Sequence, residues 1–121
     1  MAERRVPQFE KSSPELVARF AAATVDLPGI ETRKMFGYPA AFANGHMFSG
    51  LFGEHWFVRV DDARDAELRG LGATSFEVMP GRAMHGYLVV PEDIAADPIQ
   101  AAQWVARALG VVLSLPPKPG R

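Results

Sequence analysis

Two short turns, Asn44-Gly45 and Gly53-Glu54, constrain this chain most, because each separates extended, largely apolar segments by only two residues. Asn-Gly suits a turn in which both central residues take positive φ, so it marks a hairpin between Ala40–Ala43 and Met47–Phe52. Gly53-Glu54 joins the second of these to His55–Val60, and three strands run as an antiparallel meander. A two-residue turn also fixes register, and register decides which side chains share a face. Pairing Phe42 with Met47, Ala41 with Phe48, Ala40 with Ser49 and Leu51 with Trp56 gathers Phe42, Met47, Leu51, Trp56, Val58 and Val60 on one face, the expected core. The other face then carries His46, Phe48, Phe52, His55, Phe57 and Arg59 among the small residues Ala41, Ala43 and Gly50.

The remaining punctuation fills in the architecture. Ser13 reads as an N-cap with Pro14 at the first helical position, and Leu16, Val17, Phe20 and Ala21 mark one face of a helix over about 13–25. After Pro28-Gly29, the alternation from Ile30 to Tyr38 reads as one strand that Pro39 stops or bulges. Asp61 caps a short helix over about 62–70. A loop containing Pro80-Gly81 leads to a strand over Met84–Val90, and Asp97-Pro98 opens a last helix that Gly110 ends. The expected fold is α+β: an antiparallel meander of about four to five strands with three to four flanking helices. Residues 1–12 read as an extension, 13–112 as one domain and 113–121 as a proline-rich tail, whose Pro116-x-x-Pro119 pattern formally matches a proline-motif ligand but is better read as a solvated end.

Composition removes several kinds of chemistry. With 121 residues, 48% of them hydrophobic, the chain has material for one core and needs neither metal nor disulfide to fold. It contains no cysteine, so thiolate nucleophiles, Fe–S clusters and thiolate zinc sites are out. Thirteen basic against fourteen acidic residues give no global field that would draw in nucleic acid or an anionic membrane. No apolar run approaches the roughly 20 residues of a membrane span, and the Arg4-Arg5 pair lacks the apolar stretch of an export signal, so a soluble, cytoplasmic protein is expected. No glycine-rich phosphate loop or Gly-x-Ser-x-Gly elbow is present, and the hairpin puts His46 and His55 far apart on paired strands. Neither catalytic residues nor a cofactor or metal are expected.

The aromatic face is the feature that asks for an explanation, since the wet side of a one-sided sheet alternates with polar residues. Three readings compete. Helices cover it; or it is a protein interface, such as a homodimer; or Phe48 and Phe57 beside Arg59 form a stacking platform for nucleic-acid bases. A second candidate surface is cationic. Arg33 and Lys34 point to opposite sides of their strand, and either could meet Arg82 and His85 in a small anion site. Against this, Arg33 pairs with a neighbouring acid such as Glu31 or Glu77.

A larger pattern is carried by Arg33-Lys34-Met35-Phe36-Gly37, Asn44-Gly45, Met47-Phe48, Trp56–Val60, Met79-Pro80-Gly81-Arg82, Tyr87 and Asp97-Pro98. In order and spacing these resemble the N-terminal domain of the TfoX/Sxy competence-regulator family over about residues 13–110, and in particular its stand-alone branch. The resemblance implies an α+β domain with an antiparallel sheet, no established catalytic residues, and a regulatory role. Met35, Phe36 and Gly37 match the family signature, with Phe36 expected to fill core and Gly37 to relieve backbone crowding. The function expected is non-catalytic and regulatory, exerted through a protein partner or a second copy of the chain. The alternatives are a nucleic-acid-associated regulator, and an anion-binding protein or enzyme with a cleft near Arg33, Arg82 and His85.

Overall fold

Ser13 accepts a hydrogen bond from the Leu16 amide at 3.1 Å, and Pro14 sits where its missing N–H costs nothing, so helix α1 starts there and runs Pro14–Thr24. In this computed structural model, which describes residues 11–117, the chain then enters a meander of four strands: β1 Glu31–Met35, β2 Tyr38–Ala43, β3 His46–Phe52 and β4 His55–Arg59. Helix α2, Asp62–Gly70, is capped by Asp61, which accepts from the Arg64 amide at 2.9 Å. It leads to a hairpin of β5, Thr74–Met79, and β6, Arg82–Val89. A short helix α3, Glu92–Ala95, and the long helix α4, Pro98–Leu113, complete the fold. The six strands form one antiparallel sheet in the order β1-β2-β3-β4-β6-β5. Among the described residues, no helix is long and apolar enough to cross a membrane.

The α+β class is as expected, with six strands in place of four to five. The stretch Ile30–Tyr38 is not one strand: it breaks at Phe36-Gly37, where φ is 56° and 86°, nearly the same backbone as Asn44-Gly45 at 53° and 83°. Pro39 is tolerated in β2 because it pairs with Lys34 just beyond the β2–β3 ladder, which begins at Ala40. The other strand absent from the sequence reading is β5. Its turn, Met79-Pro80-Gly81-Arg82, has Pro80 at the first corner and Gly81 at φ 78°, which closes a hairpin where a loop was expected. Helix α4 runs through Gly110 to Leu113, so this glycine does not end it. Just past α4, Leu115 packs on the core and the Pro116 carbonyl meets His46 Nε2 at 2.7 Å, so this part of the expected tail is attached; Pro119 lies outside the described residues.

Register is where expectation and structure part most instructively. The β3–β4 pairing is as read, with Leu51 opposite Trp56 and Phe52 opposite His55. Across Asn44-Gly45 the pairs Ala43–His46 and Phe42–Met47 also hold. A β-bulge then intervenes, and Ala41 faces Ser49 and Ala40 faces Gly50, one step from the expected ladder. Phe48 is the extra residue. The slip turns Phe48 to the side of Leu51, Trp56 and Val58, and leaves Phe42 and Met47 on the opposite side with Phe57.

Two hydrophobic cores result, one on each face. The first joins Phe48, Leu51, Trp56, Val58 and Leu88 to the helices through Leu16, Phe20, Leu68, Trp104, Val105 and Val112. Phe20 meets Trp56 edge-on at 5.6 Å. Among the described residues the second has no helix over it. Its centre is Phe57 stacked on Phe76 at 4.1 Å, with Phe52 edge-on to Phe76 at 5.7 Å. In a flat sheet, β3 and β5 of this strand order would lie about 14 Å apart, at roughly 4.8 Å per strand. The contact therefore requires the sheet to curl over this face, closing it with its own side chains.

One polar group is locked into the first core. Ser49 is fully buried, its hydroxyl donating to the Phe57 carbonyl at 2.8 Å and accepting from the Trp56 indole N–H at 3.0 Å. Ser49→Ala would strand that indole N–H and is expected to lower unfolding free energy by about 1–3 kcal/mol, read as a lower urea midpoint at unchanged slope. On the other face a Cβ at Gly50 would fall 2.7 Å from the Phe57 ring, which Phe76 holds in place. Gly50→Ala should cost about 1–3 kcal/mol through overpacking, measured in the same way.

Asp97, the cap of α4, accepts from the Gln100 side chain at 3.0 Å and from the Gln100 and Ile99 amides. The Gln100 side-chain bond, followed by the Gln100 backbone bond, holds its carboxyl below the ordinary value of 3.8. A depressed folded value stabilises above the unfolded value and is lost as pH falls through the folded one. Asp97→Ala should therefore melt at lower temperature than the parent at neutral pH, and the two melting curves should converge in strong acid.

Candidate functional site

The aromatic surface expected from the sequence is interior. Phe48 is 0% exposed beneath the helices and Phe57 is 2% exposed within the curled face. The bulge sends Phe48 to one side and curling covers Phe57 on the other, so the two rings belong to different cores and make no shared platform. Of that trio only Arg59 reaches the surface.

Of the expected cationic residues, Arg33 and Lys34 take opposite sides of β1. Arg33 pairs with Glu31 at 3.0 Å and lies 4.3 Å over the Phe42 ring, on the curled side of β1. Lys34 points the other way, as strand alternation requires, into a cleft of about 370 Å³ lined also by Lys11, Val17, Gly37 and Tyr38. Arg82 and His85 stand exposed on β6, four places from β1 in the strand order.

The signature turn between β1 and β2 differs from expectation in a way that matters. Met35 is half-buried against the second core. Phe36 is 52% exposed and does not fill core, although its ring meets Phe52 edge-on at 5.8 Å. Gly37 has open space around it, so its role is conformational: its φ of 86° supplies the second left-handed corner of the turn. Phe36 occupies the first such corner with a bulky side chain, a backbone that costs an L-residue roughly 1–2 kcal/mol.

A cleft of about 630 Å³ lies between the start of α1, the β3–β4 turn and α3. Much of its charge is engaged in holding those segments: Glu54 accepts from the Ser13 amide at 2.7 Å, and Glu15 pairs with Arg19 at 2.8 Å. His55 and Glu92 stand exposed at its rim. Among the described residues no group of three His, Cys, Asp or Glu could hold a metal ion.

Arg59 was an expected binding residue, but the setting it has in the structure went unread in the sequence. Arg59 on β4 faces Tyr87 on β6, with its Cζ 5.3 Å over the ring, and packs against Gly86 so closely that a Cβ there would stand 3.3 Å from Cζ and Nε. Gly86 has φ 88° in a stretch of β6 where the β5 ladder shifts, so only glycine suits both the backbone and the space. Arg59 Nε is buried without a hydrogen-bond partner, a condition that costs about 1–3 kcal/mol. The signal available in the sequence was Gly86 itself, a glycine inside a strand.

With this geometry in view, the match to known families can be placed on it. The family model for the TfoX N-terminal domain matches residues 22–112, from the second half of α1 almost to the end of α4, and so takes in the Phe36-Gly37 turn, Arg59 and Gly86. No curated protein matches the chain. Since the match covers most of its length, the chain belongs to the TfoX N-terminal domain family.

Proposed function

We propose that this domain acts without catalysis, by binding a protein partner, and that the tip of the β1–β2 hairpin is what the partner contacts. The observation that carries the reading is Phe36: a large aromatic side chain in a left-handed corner, half exposed, where asparagine or glycine would fold more easily. Strained residues persist where the surrounding structure imposes them and tend to gather at functional sites. Aromatic side chains are also the residues on which protein interfaces concentrate their binding energy. Lys34 and Lys11 beside the exposed Val17 give the adjoining cleft a basic rim around an apolar floor, which suits an acidic partner segment.

Burial of Phe48 and Phe57 withdraws support from the base-stacking alternative, since neither ring presents a face to solvent.

The substitution Phe36→Asn separates folding from binding. Relief of left-handed strain and loss of the edge contact with Phe52 are each about 1 kcal/mol and opposite in sign, so the urea midpoint should hardly change. Partner recovery from lysate, or self-association if the partner is a second copy, should fall at least tenfold. Equal recovery by the parent and the variant, or none by either, would overturn the reading.

A further inference from the structure

Among the described residues, Arg59 stands apart from the other arginines in how its charge is met. Arg19, Arg33, Arg64, Arg69 and Arg107 each pair with a carboxylate of the fold, and Arg82 is exposed to solvent. Arg59 is half-buried and has no carboxylate partner among the described residues. Its Nε is shut off from water, while Nη1 and Nη2 have no hydrogen bond among the described residues and keep access to solvent. The head group is also held in place. The Tyr87 ring backs it, Gly86 packs against Cζ, Nε and Nη1, and Tyr87 is itself fixed by donating its hydroxyl to the Met47 carbonyl at 2.8 Å. A guanidinium so held, with no hydrogen bond to Nη1 or Nη2 among the described residues, offers the fork that an oxyanion takes bidentately.

We propose that Arg59 is the receptor for a single carboxylate, bound end-on through Nη1 and Nη2. One guanidinium offers one positive charge, which matches a monoanionic carboxylate better than a dianionic phosphate. The positioning parts are Gly86, whose missing Cβ leaves room for the head group, and Tyr87, whose ring sets its plane. The site is separate from the Phe36 turn, on different strands, and stands or falls independently of it.

The test is a titration of ¹⁵N-labelled full-length protein with sodium acetate at constant ionic strength, following the arginine Nε–Hε signals and the Gly86 and Tyr87 amides. Chloride and inorganic phosphate serve as parallel probes. Acetate should move the Arg59 signal saturably, with millimolar affinity, while Arg82 drifts without saturation. Arg59→Lys keeps the charge and loses the fork, and should weaken the acetate response of the Gly86 amide at least tenfold. Arg59→Gln should abolish it, with both variants checked for a native backbone spectrum. A short glutamate-containing peptide amide extends the result: tighter binding than acetate assigns the carboxylate to a polypeptide, and equal binding to a small acid. An Arg59 response no larger than that of Arg82, an unchanged Gly86 response in a folded Arg59→Lys, or saturation by phosphate but not acetate would each overturn the proposal.

Discussion

The extra residue in β3 decides what this molecule is on both of its faces. At the bulge Phe48 and Ser49 occupy the space opposite one position of β2, and the side-chain alternation resets on passing it. Ser49 lies beside the extra residue with its hydroxyl tied to Trp56 and Phe57, so the polar atom at the heart of the helix-side core is satisfied within the strands that need it. Phe48 then joins the helices, and Met47 with Phe42 is released to line the opposite face. Without the reset, three large side chains would sit on the wrong sides of the sheet.

The second consequence is a face that is closed without a helix. Phe52, Phe57 and Phe76 converge there only because the sheet curls, and the β5–β6 hairpin is the part that folds over. The same hairpin sets Gly86 and Tyr87 against Arg59. Curling and the arginine site are thus two results of one irregular strand, β6, whose register against β5 shifts around Phe76.

What was legible in the sequence follows from how local each signal is. Asn44-Gly45, Gly53-Glu54 and the caps Ser13, Asp61 and Asp97 are decided by neighbouring atoms, and the turns and helix starts they imply are present. Phe36-Gly37 makes the same kind of turn as Asn44-Gly45, but phenylalanine carries no preference for positive φ, so half of its signal is missing. Gly110 marks a helix end by composition, yet the packing of Ala108, Leu109 and Val112 carries α4 onward. The candidate surface was misread for a different reason. A bulge leaves no mark that alternation can register, and one unseen residue changes the face of every side chain beyond it. Arg59 was singled out in the right strand, but its isolation from carboxylates is a property of three dimensions.

The sheet has two free ends among the described residues, and β1 is the more exposed of them, with Glu31, Thr32, Arg33 and Lys34 all open to solvent. An unpaired backbone edge is a template on which stray strands can polymerise. Here any such addition would have to desolvate charges of both signs along the row, including the Arg33–Glu31 pair. The border is topologically open yet chemically guarded, since the charges along it must lose their water before any further strand can join.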